Sequence, residues 1–315
     1  MCGHFKTEEK DVEKWLGQYL SAAGLADSVA VTVEARVGKI KGASREIVQI
    51  VNDFRSRAVG GMVTALLLWE ACCLPSLLHG AGTWTEIGNS TEKTLNSIQN
   101  WFIRLVLQVG PGAPLPALQW DFGLLDMGLR VWVEKIMLML HIRRLNGSTL
   151  ANKIYEEQRA KQWPGLAEET KTICQELDIE CVHETKLKSK KYRKIVLKAC
   201  HKKNKERLKR QAEGKEKCWR IAKDDYGKKG YIKNENIQQV REMFRTRFGL
   251  QPFAGNYSHD RRFSHTNWLC RCQMYREEES HLLSGNCEVY GDIRRRYDNL
   301  DDDANLVQFF MRFCR

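Results

Sequence analysis

Cys270, Cys272, His281 and Cys287 form a C-x-C-x(8)-H-x(5)-C pattern within 18 positions. Three thiolates and one imidazole make a soft, four-coordinate shell of the kind that closes around a structural Zn²⁺. The loops between them are short, one carrying Glu277, Glu278 and Glu279, the other Ser284, Gly285 and Asn286, so little closure entropy opposes the site. In an extended strand, residues two apart point to the same side, but a turn is still needed to bring both sulfurs of the C-x-C pair onto one ion. His265 and His259 are alternative fourth ligands, ranked below His281 because each precedes the first cysteine. The competing reading is ordinary core or unligated thiols, since the chain has 11 cysteines.

The second group with chemistry is a polycation just upstream. Residues 186–230 carry 19 Lys or Arg against 5 Asp or Glu, a balance of 19 − 5 = +14, larger than the +12 of the whole chain. Such charge repels itself unless a polyanion neutralises it. The candidate phosphate contacts are Lys190, Lys191, Arg193, Lys194, Lys202, Lys203, Arg207 and Arg210. Tyr192, Ile195, Val196 and Leu197 supply a partial apolar face, so part of the segment reads as a basic helix; a solvated linker is the alternative. The same clusters would also serve nuclear import. Arg271 and Arg276, inside the Cys/His pattern, are candidates for phosphate or base-edge contact. Trp268 and Tyr275 are candidates for stacking on unpaired bases or for packing around the metal.

Composition frames both groups. At 315 residues and 36.5 kDa the chain has room for two or three small domains, and its 43% hydrophobic residues suffice for a real core. A pI of about 9.2 favours an anionic partner, RNA or DNA. Met1-Cys2-Gly3-His4 opens a polar segment unlike a secretory signal, so the thiols are expected to be reduced, buried or metal-bound, in the nucleus or cytoplasm. The longest apolar run, Met62 to His79, contains Glu70 and Pro75 and reads as a buried helix, with no membrane partner.

These groups must be carried by mainly α structure. Val29 to Val33 reads as a short β-prone stretch. Ile47, Val48, Val51, Phe54 and Ala58 recur at helical spacing, as do Leu95, Ile98, Phe102, Leu105 and Val109. Asn89 is the expected N-cap of the second of these helices, with Glu92 three residues on. Pro111-Gly112-Ala113-Pro114-Leu115-Pro116 breaks the chain. A further helix is expected near Leu129 to Leu145, its Trp132 and Met139 serving the core. Leu306, Val307, Phe309, Phe310 and Phe313 suggest a short terminal helix that packs on the zinc loops.

Several segments, in order, resemble the C-terminal part of the polyprotein of LINE-type (non-LTR) retrotransposons. Trp15-Leu16-Gly17 is similar to the aromatic-Leu-Gly strand that follows the catalytic hairpin of those reverse transcriptases. Leu74-Pro75-Ser76-Leu77-Leu78-His79-Gly80-Ala81 with Trp84 resembles the signature of the helical region after the palm, with His79 where an aromatic is usual. Gln99, Arg104 and Leu105, Pro114 and Leu118, then Gly123 and Leu124, match that region's helix, proline break and turn. Met243-Phe244-Arg245-Thr246-Arg247-Phe248-Gly249 and the Cys/His pattern resemble the lead-in and the closing zinc knuckle. The C-x-C pair and the lysine-rich insertion depart from the family's pattern.

The resemblance implies four parts: 1–43, a remnant of the palm and primer-grip region; 44–150, a thumb-like helical region; 151–235, a basic linker or helices; and 236–315, a zinc-knuckle module. It also implies that fingers and nearly all the palm would precede residue 1. The carboxylates that hold two Mg²⁺ in such polymerases sit partly in a Y-x-D-D hairpin, and this chain contains none. Asp224-Asp225 and Asp301-Asp302-Asp303 read as solvated loops. The expectation is therefore a nucleic-acid-binding piece with one structural zinc, no Mg²⁺ site and no catalysis alone. A palm-bearing polymerase segment is a possible partner. The rival is a host-retained protein-interaction module stapled by zinc, with a host protein as partner.

Overall fold

A computed structural model describes residues 12–15, 18–21, 25–53, 61–84, 87–110, 112–161, 163–213, 226–227, 229–233, 236–248, 250, 287, 291 and 295. The architecture is mainly α. Two four-residue strands, β1 (Val12–Trp15) and β2 (Gln18–Ser21), pair antiparallel with Trp15 opposite Gln18. The helices are α1 (Leu25–Asp53), α2 (Gly61–Leu68), α3 (Leu74–Leu77), α4 (Asn89–Leu107), α5 (Leu115–Phe122), α6 (Met127–Arg144), α7 (Leu150–Lys161), α8 (Leu166–Glu176), α9 (Ser189–Ala212) and α10 (Ile237–Arg247). Among the described residues no helix is long and apolar enough to cross a membrane. The chain divides into two compact units, one of residues 1–46, 68–102 and 125–207, the other of 47–67, 103–124 and 208–315.

In the first unit, the β-prone stretch at Val29 to Val33 lies inside α1, which corrects the strand expectation. Val29, Val33, Arg36 and Ile40 are buried at three- and four-residue spacing, and a helix buries such a set on one face where a strand would split it. After α2 the chain makes a π-helical turn, Trp69–Cys73, then α3. Pro75 has no N–H to donate, and the Leu74 N–H reaches back to the Trp69 carbonyl across the wider turn. Trp69 stacks on Phe102 with ring centroids 4.5 Å apart. Arg36 donates to the Leu77 and His79 carbonyls at 3.1 and 2.7 Å, closing the end of α3. Gly80 follows in the left-handed region at φ 73°.

The helix expected to be capped by Asn89 begins with Asn89 already helical; the Gly88 carbonyl accepts the Glu92 N–H at 3.1 Å. α6 starts at Asp126, whose carboxylate accepts the Gly128 N–H at 2.8 Å. The main core of this unit is built by Leu129, Val133, Ile136 and Leu140 of α6 against Tyr155, Ile173, Tyr192, Val196 and Cys200.

In the second unit, Pro114 is the extended N-cap of α5, and Gly123 at φ 60° ends it. The Leu124 N–H bonds the Gln119 carbonyl at 2.9 Å, the long return bond of a Schellman motif. Arg104 donates to the Ala113 carbonyl at 3.0 Å and so ties down the proline-rich turn. Phe122, Phe244 and Phe248 form an aromatic row. Arg241, fully buried, donates to the Val106 carbonyl at 2.8 Å and to Asn52 Oδ1 at 2.9 Å.

Candidate nucleic-acid interface

α9 carries eleven Lys or Arg against one acid, Glu206. Its inward face is set by a four-residue repeat: Tyr192, Val196, Cys200, Asn204, Leu208 and Ala212 are all buried. The seam's polar atoms are satisfied within the protein. The Tyr192 hydroxyl donates to the Glu180 carbonyl at 2.6 Å, and the Cys200 thiol lies 3.9 Å from the Leu129 carbonyl. Burial pushes both acids upward, Cys200 to about 12, so each stays protonated. Arg143 holds the approach to α9 by donating to the Val182 and Thr185 carbonyls at 2.6 and 2.9 Å. Arg144 donates to Ser189 Oγ at 2.6 Å and to the Leu187 carbonyl. A sequence that by charge alone resembles a loose linker is thereby a fixed helix.

The eight expected phosphate contacts fall into two sets. Lys190, Lys191, Lys194, Lys202 and Arg210 are exposed, with no ion pair among the described residues. Arg193, Lys203 and Arg207 have protein carboxylates as partners. Arg193 pairs with Glu134 at 2.7 Å. Lys203 pairs with Glu176 at 2.7 Å and lies over the Trp132 ring. Arg207 pairs with the N-cap Asp126 at 2.6 Å, and burial beside that carboxylate raises the Glu92 carboxyl above its ordinary range. A phosphate at any of these three cations would have to compete with the carboxylate already there.

Charge clustering in the sequence does not single out Lys198. It is exposed and lies on the row Lys190, Lys194, Lys198, Lys202, opposite the buried seam. Counting in fours from any of its neighbours would have found it. Three successive like-charged i,i+4 pairs lie along this row, each unfavourable by about 0.2–0.5 kcal/mol. A helix selected merely to be soluble would alternate signs there.

Of the expected zinc ligands, Cys287 is buried. Cys270, Cys272 and His281 lie outside the described residues, as do His259, His265, Arg271, Arg276, Trp268, Tyr275, Asp224, Asp225, the 301–303 acidic run and the terminal helix expected around Phe310. Among the described residues no three His, Cys, Asp or Glu side chains gather closely enough to hold a metal.

Among the described positions that carried the resemblance, several act as braces. Leu74, Leu77, Ala81 and Trp84 are buried, and Arg36 lies over the Trp84 ring at 6.0 Å. Gln99 donates to the Leu125 carbonyl at 3.1 Å. Arg247 bonds Asp121 Oδ2 at 2.9 Å, and the Tyr231 hydroxyl donates to the same oxygen at 2.7 Å. Burial pushes the Asp121 carboxyl upward against the Arg247 charge and the Tyr231 bond, which both favour the carboxylate. No family model matches the chain, and neither a curated protein nor a solved structure matches it.

Proposed function

We propose that this chain is a nucleic-acid-binding C-terminal piece of a LINE-type reverse transcriptase. In this reading a thumb-like helical bundle is followed by the basic helix α9 and a zinc-knuckle module, with Cys270, Cys272, His281 and Cys287 holding one structural Zn²⁺. Without the Y-x-D-D carboxylates it polymerises nothing alone. The observation that carries the reading is the unbroken exposed lysine row of α9, on a helix whose other face is buried. The backbone that carries these lysines is already ordered by packing, so meeting phosphates costs side-chain freedom but no folding of the helix.

The test is titration of the purified chain with RNA and DNA at several salt concentrations. Log K is expected to fall with log salt at a slope of about −0.9 for each phosphate neutralised on a duplex. The same preparation should carry about one zinc per chain, lost in the double variant Cys270→Ser plus Cys287→Ser. A flat salt response rejects the basic helix as the grip. One observation favours the second reading, a zinc-stapled protein-interaction module: Leu150, 73% exposed, and Ile154 lie one turn apart on α7, with Trp163 also exposed. Absent nucleic-acid binding together with a tight protein partner would select it.

A further inference from the structure

We infer that the lysine row of α9 grips a nucleic-acid duplex by its phosphates and does not read base sequence; this rests on the nucleic-acid-binding reading above. Four features of the helix carry it.

The first is the kind of cation presented. α9 contains three arginines, and two of them, Arg193 and Arg207, are paired with Glu134 and Asp126. Arginine is the side chain that forks onto a guanine edge, whereas lysine is a point charge suited to a phosphate. The outward row Lys190, Lys194, Lys198 and Lys202 is lysine throughout.

The second is where the base-reading residues of α9 point. Its aromatic residue, Tyr192, is fully buried with its hydroxyl on the Glu180 carbonyl. Its asparagine, Asn204, is fully buried and accepts from Arg207 at 2.9 Å. Besides cations, the exposed positions of the helix are Ser189, Ile195, Glu206 and Gln211. No aromatic among them offers a platform for an unpaired base, and sequence-tolerant single-strand binders depend on such platforms. Tyr192 and Asn204, which could stack or read an adenine edge, are used to hold the helix down, and the exposed Gln211 lies in the last turn of α9, off the lysine row.

The third is charge spacing. A step of four residues rises about 6 Å, so Lys190 to Lys202 spans about 18 Å. A duplex offers one phosphate charge per ~1.7 Å of axis, about ten over that length, whereas one strand at the same rise offers about half as many. Without stacking to compensate, the denser polyanion wins. The fourth is the lack of an exposed apolar stripe along α9, where Ile195 is the exposed aliphatic; an anionic membrane surface would call for such a stripe.

The experiment uses the full chain and needs no variant for its first part. Affinities are measured for a short duplex, a second duplex of equal composition and shuffled sequence, and a homopolymer single strand of equal phosphate number. The two duplexes are expected to bind within about twofold of each other and the single strand about tenfold or more weaker, since phosphate contacts carry no sequence information. In the second part, Lys190→Gln, Lys194→Gln, Lys198→Gln and Lys202→Gln are combined on the exposed face, with helicity checked by circular dichroism. The duplex salt slope should shrink by about 3.6, four contacts at about 0.9 each, with a smaller change for the single strand. Equal or tighter single-strand binding, a tenfold difference between the duplexes, or an unchanged slope overturns the inference while leaving nucleic-acid binding in place. Failure to bind any nucleic acid removes the parent reading as well.

Discussion

Arg247 is 4% and Asp121 0% exposed at the side chain, and the pair is completed by the Tyr231 hydroxyl. A buried pair contributes little net stability against an apolar replacement, yet removing one partner strands the other. Arg247→Met is therefore expected to cost about 3–5 kcal/mol, with Asp121→Asn plus Arg247→Met costing less than the sum of the singles. Denaturant midpoints of the four proteins would measure this, and additive losses would reject the coupling. His183, in the other unit, is the titrating counterpart. Its Nε2 lies 2.9 Å from the Ala167 carbonyl and its Nδ1 2.9 Å from the Tyr155 hydroxyl, so the neutral ring donates to the first and accepts from the second. Burial holds its pKa below 6.5, helped by Arg159 and Arg143 and opposed by the Ala167 carbonyl and Glu168. The unfolded chain then binds the proton more readily than the folded one. The stabilisation is present above about pH 6.5 and is lost as pH falls through the lower folded-state pKa. His201, likewise depressed by burial, adds to the loss, while Glu92, raised, offsets it at still lower pH. Tm is expected to drop between about pH 7.5 and 5.5, and to drop less in His183→Gln; equal drops would remove His183 from the account.

At the scale of elements, the 3₁₀ turn Ala81–Thr83 lies so close to α6 that a Cβ on Gly82 would stand 2.9 Å from Leu138 Cβ and 3.0 Å from the Glu134 carbonyl oxygen. The carbonyl belongs to the helix backbone and cannot swing aside. Gly82→Ala is expected to destabilise by about 1–3 kcal/mol through overpacking, read as a lowered denaturant midpoint at unchanged m-value. Gly38→Ala, exposed in mid-α1 with nothing within 4 Å, is the contrast and should be stabilising by about 0.5–1 kcal/mol. α9 shows the complementary case, in which an element of poor average hydropathy is held by a seam one residue wide. Its lysines remain outside because every fourth position faces in.

At the scale of the molecule, a formal charge of +12 favours association with polyanions, and the proposed function assigns this chain no polymerase chemistry of its own. Primer extension with Mg²⁺ and deoxynucleotides is expected to yield no product; robust synthesis would show that the metal-holding carboxylates come from residues assigned to other roles. The two compact units draw on alternating stretches of chain, with residues 47–67 and 103–124 belonging to one and 68–102 to the other. Composition changes only once along the chain, at the basic segment, and so cannot report that interleaving.

Local physics made much of this readable in advance. The chain break before α5, the helix over Ile47 to Val51 and the helix from about residue 129 follow from periodicity and from proline's missing donor, whereas the apolar run Met62 to His79 is α2, a π-helical turn and α3 in succession, with Leu67 57% exposed. Val29 to Val33 is helical because β-branched content is a weak preference, overruled when Val33, Arg36 and Ile40 find a buried face at helical spacing. Charge identified α9 as a phosphate candidate, but not which cations serve it. The carboxylates that engage Arg193, Lys203 and Arg207 stand 59, 27 and 81 residues away in the chain, at Glu134, Glu176 and Asp126. Long-range pairing of this kind has no local signature. The lysine row is written in the sequence; its place on the exposed side, and the confinement of Tyr192 and Asn204 beneath it, come from the burial of the opposite face of α9.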